Sequence, residues 1–188
     1  SKAEQIKAMF HNPLIKIQTL SEAGIHGEAV EDGITLEENA TKKALFAKES
    51  TKESTWTMAD DTGLFINVLN GAPGIKAARW AGEDATTDEI TKFTLNKLEG
   101  KTDRSAIFET VIVLISPEGK KHSFSGKVNG HIAEFRKTKP QPKMPYSSLF
   151  SPEGSDKVWA EMTIEEENAI SHRGKAFRQV VAFLENYL

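Results

Sequence analysis

A chain of 188 residues can form one domain, or two lobes around a shared core. Its composition, 38% hydrophobic and 27% charged, is that of a soluble globular protein, and a formal net charge of −3 leaves no basic field to hold nucleic acid. The absence of cysteine excludes disulfides and thiolate metal sites and suits a reducing, cytoplasmic setting; no run reaches the roughly 18 apolar residues of a membrane span, and no signal peptide is visible.

In chain order, Ser1 to Phe10 reads as a helix, with Ala3, Ile6, Met9 and Phe10 at three- and four-residue spacing. Leu14 to Ile17 is a short strand candidate, and Ser21 to Gly33, acidic and glycine-punctuated, is a loop. Thr35-x-x-Glu38 has the capping-box pattern and opens a helix to about Glu49. Thr55 to Ala59 is expected to be a strand leading into Asp60-Asp61, and Leu64 to Leu69 a strand or short helix. Thr86 or Thr87 caps a helix to Leu98. The β-branched and aromatic run from Ser105 to Ser116 is a strand, and Lys121 to Val128 returns antiparallel after the turn Pro117-Glu118-Gly119-Lys120. Three of the seven prolines fall within 136–148, so that stretch is irregular. Lys157 to Met162 is expected to be extended, Ile164 to Ile170 helical, and Ser171 to Lys175 a lead-in to a closing helix from Ala176 to Tyr187.

The segment with the most chemistry is Met58-Ala59-Asp60-Asp61-Thr62-Gly63-Leu64. Side chains alternate along an extended chain, so two adjacent acids at a strand end point in different directions and can do different work, one holding a cation and the other a water. Gly63 permits a tight turn there, and a plain surface turn is the other reading of the same residues. Glu38 with Asp60 and Asp61 suggests a hard-cation site, since Mg²⁺ takes a few carboxylates plus water and phosphate oxygens. Compensation of a helix dipole is the alternative for Glu38. A second set is cationic: Lys2, Lys43, Arg79, and Ser171-His172-Arg173 with Lys175, at a helix start where free N–H groups favour anions. A solvated basic surface is the plainer reading of those last residues. Acid and cation sets together are what a metal–nucleoside triphosphate requires.

Four segments, in order and spanning nearly the whole chain, carry a resemblance. They are Glu37-Glu38-Asn39-Ala40-x-x-Lys43-Ala44, Ala59-Asp60-Asp61-Thr62-Gly63-Leu64, Gly71-Ala72-Pro73-Gly74-Ile75 with Ala78-Arg79-Trp80-Ala81-Gly82, and Ile170-Ser171-His172-Arg173-Gly174-Lys175-Ala176. The chain resembles the Ham1-type inosine/xanthosine triphosphate pyrophosphatases, the house-cleaning nucleotide hydrolases. The resemblance implies an α/β fold: one domain over 1–188 with an elongated mixed sheet flanked by helices, in two lobes around a central nucleotide cleft, acting as a homodimer. It implies Mg²⁺-dependent hydrolysis of a nucleoside triphosphate to monophosphate and pyrophosphate. By position, Glu38 and Asp61 would bind Mg²⁺, and Asp61, supported by Asp60, would activate water. Lys2, Lys43 and Thr62 would hold phosphates, and His172 and Arg173 would read the base.

Three departures stand against the family pattern. The opening strand with its Thr/Ser-x-Asn-x-x-Lys phosphate loop is represented only by Lys2. The segment that stacks on and reads the base becomes Lys143-Met144-Pro145-Tyr146-Ser147-Ser148, with Met144 for the stacking aromatic and Ser147 for the base-reading Asp. The lysine expected before Asn168 is Glu167, which would set a negative charge beside the phosphates, or point into water with Glu165 and Glu166. Two readings follow: an active pyrophosphatase with altered base preference, or a catalytically impaired nucleotide-binding homodimer of the same fold.

Overall fold

The computed structural model describes residues 2–51 and 53–187, with Lys2 and Gln5 described as backbone. Its helices are α1 (Lys2–Lys7), α2 (Leu36–Ser50), α3 (Thr87–Lys97), α4 (Ile164–Ile170) and α5 (His172–Glu185). Its strands are β1 (Thr57–Ile66), β2 (Pro73–Gly74), β3 (Ser105–Ile115), β4 (Lys121–Ile132) and β5 (Phe150–Pro152), in the order β2-β1-β3-β4-β5. The α/β class is borne out. Every pairing between these strands is antiparallel, where the resemblance implied a mixed sheet. The tight turn at 116–120 forces β4 back along β3.

The long central strand β3 shows how the sheet is covered. Ile112 and Leu114 pack with Ala176, Phe177 and Val180 of α5, whereas Val113 and Ile115 pack with Ala40 and Ala44 of α2. Period-two alternation thus sends alternate residues to opposite faces, one roofed by α5 and the other by α2. At the other end of β3, Phe108 and Ala106 join a larger cluster with Leu64, Ile66, Phe150 and Trp159. Truncating a fully buried ring such as Phe177 would cost about 3–5 kcal/mol through lost transfer energy and the cavity left behind.

α2 opens as expected, with Thr35 accepting from the Glu38 N–H at 3.1 Å. The return contact differs by one residue: the Glu38 carboxylate takes the N–H of Ile34, at 2.8 Å, instead of that of Thr35. α3 has the full capping box between Thr86 and Glu89.

Four local expectations are corrected. Leu14 to Ile17 is not a strand; no strand is assigned there and Leu14 is 77% exposed, since an apolar run this short gains nothing without a partner strand. Gly63 is not a turn. β1 runs through it unbroken to Ile66, and the absence of a side chain serves close approach: a Cβ there would meet the Phe65 ring at 2.9 Å and the Gly74 carbonyl at 3.1 Å. Residues 157–162 curl into a 3-10 turn at Trp159–Glu161, because the Glu161 carboxylate bonds the Val158 N–H at 2.9 Å. The last helix begins at His172, four residues early, because Ser171 caps it by accepting from the Gly174 N–H at 2.9 Å.

Candidate active site

Asp60 and Asp61 lie in mid-strand on β1, and alternation turns them to opposite faces. Asp61 shares the α2 face with Ala59. It is 7% exposed, its Oδ1 accepts from Lys43 Nζ at 2.8 Å and its Oδ2 from Asn39 Nδ2 at 3.3 Å. Both donors are on α2, four residues apart, so one turn of helix presents them together. Asn39, fully buried, also accepts from the Gly33 N–H at 2.9 Å, which ties the preceding loop to the same carboxylate. That loop adds an acid the sequence reading passed over. Glu31 Oε1 stands 3.2 Å from Lys43 Nζ, while its carbonyl accepts from Arg79 Nη2 at 2.9 Å.

Burial pushes the Asp61 carboxyl above its ordinary range, and the hydrogen bond and charge of Lys43 offset this only in part. For Lys43, burial disfavours the charge, but the hydrogen bond and charge of Asp61, with the charges of Glu31 and Asp60, outweigh it and raise its pKa. Lys43 therefore stays protonated among three carboxylates.

Asp60 faces α5. Its Oδ2 lies 3.8 Å from Nε of Arg173, which is 5% exposed. On the same face a cavity of about 90 Å³ opens. A single water needs roughly 10–15 Å³ by the same measure, so the space suits a larger group. Its lining includes Thr62 from β1, Phe108 from β3, and Met144, Tyr146 and Ser147 from the proline-rich stretch. Glu167, His172 and Arg173 complete it from the α4–α5 junction. Gly126 and Gly174 allow this junction to seat: a Cβ at Gly126 would strike the His172 carbonyl, and one at Gly174 the Asn168 carbonyl.

Within the cavity His172 stacks on Phe108, with centroids 4.6 Å apart and planes at 12°. The Tyr146 hydroxyl donates to the Ala77 carbonyl at 2.8 Å, and burial pushes the phenol pKa up. Ser147 Oγ accepts from the Gln141 N–H at 2.8 Å and donates to the Met144 carbonyl at 2.7 Å, so it fastens the loop. Glu167 is 3% exposed and does not lie in water with its neighbours Glu165 and Glu166.

The expected residues thus divide between two faces of one strand. Asp61 and Lys43 form one group; Thr62, Met144, Tyr146, Ser147, Glu167, His172 and Arg173 share the cavity, with Asp60 at its edge. Among the named strands β2 covers only Leu64 and Phe65, so β1 presents an edge from Thr57 to Gly63 between the two groups. Glu38 is exposed and bonded to Ile34, beside but not within the Asp61 group. The Lys2 side chain lies outside the described residues. Lys175 turns away, donating to the Lys127 carbonyl at 2.9 Å. Asn39, Glu31, Phe108, Gln141 and Trp159 were missed as site residues; only Asn39 stood in a recognised motif.

Among the described residues no group of three His, Asp or Glu converges as a ready-made metal site. The donor chemistry nevertheless fits a magnesium-like ion, which needs only one or two carboxylates alongside water and phosphate oxygens. Glu31 and Asp61 flank the single ammonium of Lys43, an excess of negative charge that favours a triphosphate arriving with a cation.

The family model that matches is that of the Ham1 family, over residues 1–183. The chain belongs to the Ham1 family. It is 40% identical over 189 residues to the dITP/XTP pyrophosphatase of Thermoanaerobacter pseudethanolicus, covering 100% of this chain and 91% of that one. Among solved structures, the Ham1 protein of Staphylococcus aureus superposes with a TM-score of 0.82 at 34% identity, covering 100% of this chain and 94% of that one. A HAM1 protein from Coxiella burnetii gives 0.83 at 32% identity, covering 98% and 93%. The antiparallel core described above is therefore that of the Ham1 fold.

Proposed function

We propose that this Ham1-family chain is a Mg²⁺-dependent nucleoside triphosphate pyrophosphatase that cleaves non-standard purine nucleotides to monophosphate and pyrophosphate. Family membership makes it a hydrolase of triphosphate anhydride bonds; the metal, the base preference and the residue roles are our reading. The observation that carries it is the placement of a buried carboxylate–ammonium pair, Asp61 with Lys43, across the β1 edge from an aromatic-lined cavity.

In this reading the base enters the cavity and its ring lies against the His172–Phe108 stack. Thr62 lines the cavity on β1 and directs the phosphate chain over the strand edge. Lys43 holds phosphate oxygens while keeping Asp61 oriented. Asp61, with its carboxyl pKa raised by burial, is a better base than an exposed aspartate and takes the proton of a water that attacks the α-phosphorus. The bond to the bridging oxygen breaks and pyrophosphate leaves. Asp61, with Glu38 or Glu31, would hold Mg²⁺, whose charge offsets that of the phosphates and of the leaving group. Asn39 fixes the second Asp61 oxygen. Asp60 orients Arg173 toward the base.

No described helix is long and apolar enough to cross a membrane. A cytoplasmic homodimer of one two-lobed domain, binding neither nucleic acid nor membrane, completes the reading. Its test is a panel of purine and pyrimidine triphosphates with and without Mg²⁺, scored for pyrophosphate. Metal-dependent pyrophosphate from at least one purine is expected. Stepwise release of orthophosphate overturns the assignment, and binding without turnover would leave the impaired binder.

A further inference from the structure

Thr62 and Thr110 stand directly opposite each other on β1 and β3, and their Oγ1 atoms are 2.7 Å apart. Both point to the α5 face, since Asp60 on β1 and Ile112 on β3 lie there at two-residue spacing. Thr62 lines the cavity; Thr110 does not, and it is 0% exposed. On its other side Thr110 is paired with Gly126 of β4, which has no side chain, and the His172 carbonyl of α5 occupies that space. Among the described residues the Thr62 hydroxyl is the one hydrogen-bonding partner of the Thr110 hydroxyl.

That isolation fixes the direction of the bond. Each hydroxyl has one proton to donate and can also accept. If Thr62 donated, the Thr110 proton would be buried with no acceptor, and an unmet buried donor costs more than a typical hydrogen bond contributes. Thr110 therefore donates and Thr62 accepts, which leaves the Thr62 proton to turn into the cavity. Accepting a bond polarises the Thr62 hydroxyl and makes it a stronger donor. Both residues are β-branched, so restricted χ1 rotation holds the pair in one arrangement.

We infer that Thr110 is a positioning residue: it commits the Thr62 hydroxyl to donate to an oxygen of the nucleotide's phosphate chain. This rests on the cavity and the β1 edge being the nucleotide site of the proposed pyrophosphatase. The ionised phosphate chain is the part of that substrate that carries acceptors and no donors, and Thr62 stands next to Asp61 on the strand the chain crosses. With its acceptor side turned to Thr110, Thr62 presents its proton. The plainer account is that the two hydroxyls only tie β1 to β3, as cross-strand threonines do. That account predicts a change in stability and none in nucleotide binding.

The test is a double-mutant cycle of Thr62→Val and Thr110→Val in the full chain, with Thr110→Ser as the conservative variant. Affinity for the α,β-methylene analogue of ITP, which resists cleavage at that bond, is measured by calorimetry in the presence of Mg²⁺, and thermal midpoints by circular dichroism. Thr62→Val should weaken binding about tenfold, the scale of one hydrogen bond to a charged group. Thr110→Val should weaken it several-fold, and by nothing further in the Thr62→Val background, while Thr110→Ser stays within about twofold of wild type. In turnover of ITP the loss should fall on KM, with kcat held within about twofold. A lowered midpoint with unchanged affinity, the same loss from Thr110→Val with and without the Thr62 hydroxyl, failure of Thr110→Ser to keep affinity, or no binding of the analogue to the wild type overturns the inference. If Thr110→Val does not fold, Thr110→Cys, whose thiol is a weak donor, takes its place with the same expected coupling. Pyrophosphate release is scored separately. Coupled binding without turnover sinks the enzymatic reading and leaves the positioning role standing; turnover without the coupling does the reverse.

Discussion

Lys43 Nζ stands 2.8 Å from Asp61 Oδ1 on one face of the sheet, while the adjacent Asp60 turns to the other face, 3.8 Å from Arg173 Nε. Two consecutive carboxylates are thus each matched to a cation from a different helix, α2 and α5. The alternation of an extended strand makes this division possible, and in the proposed function one nucleotide crosses the edge of β1 to meet both sides. The proposed site is a strand crossing rather than a pocket on one surface.

Asp61→Asn should lower kcat by about 10²-fold or more, the scale of a lost general base or lost metal assistance. The near-isosteric amide keeps an acceptor for Lys43, so the fold should persist by circular dichroism. Wild-type turnover in a folded variant would remove Asp61 from the chemistry.

The same residue sets a pH dependence. Asp61 has a folded pKa above 3.8, raised by burial, so activity requiring its ionised form should fall on an acid limb above the ordinary aspartate range. The sign for stability is opposite to that of a salt-bridged carboxylate with a depressed pKa. A raised pKa in the folded state contributes stability that is present below the unfolded value and is lost as pH rises through the folded value. Lys43, raised above 10.5, contributes stability through neutral pH that is lost as pH climbs through its folded value. Lys43→Met should therefore flatten the alkaline limb of a urea-denaturation pH series, and a limb identical to wild type would refute the coupling.

How much of this was legible in the sequence depended on range. Local signals were sound where one or two residues suffice, as in the Thr86–Glu89 box and the β3–β4 hairpin. Ser171 carried a cap signal that would have started α5 at His172, but the family-like run His172-Arg173-Gly174-Lys175 reads more readily as a loop. Gly63 looked like a turn because its true reason, the Gly74 carbonyl across the β1–β2 pair, is a contact no local pattern encodes. Glu31 and Gln141 were missed for the same cause: each sits in irregular chain, and only the fold brings one to Lys43 and the other to the cavity.

Gly174→Ala should destabilise the protein by about 1–3 kcal/mol, the usual range for forced overpacking. The new methyl would strike the Asn168 carbonyl, parting α4 from α5. Because His172 and Arg173 open α5, nucleotide affinity should fall with the thermal midpoint. A lowered midpoint with unchanged nucleotide affinity would show that the α4–α5 junction does not position the base readers.

The last prediction concerns Glu31, whose carboxylate is 3.2 Å from the Lys43 ammonium that is proposed to receive phosphate. A phosphate oxygen arriving at Lys43 meets this charge. Two unit charges about 4 Å apart interact by roughly 4 kcal/mol at an effective dielectric near 20, an upper figure for a side chain as exposed as this one. Glu31→Gln removes the charge but keeps the backbone carbonyl bonded to Arg79, so the loop should stay in place. Triphosphate KM should then fall several-fold at low salt, with the gain shrinking as ionic strength rises through 0.15 M, where the screening length is about 8 Å. Monophosphate binding, confined to the cavity face, should change far less. The comparison of KM at two salt concentrations, with Mg²⁺ titrated in each, distinguishes the outcomes. A raised KM together with a raised Mg²⁺ requirement would assign Glu31 to the cation instead, and Lys43 would then owe its orientation to Asp61 alone.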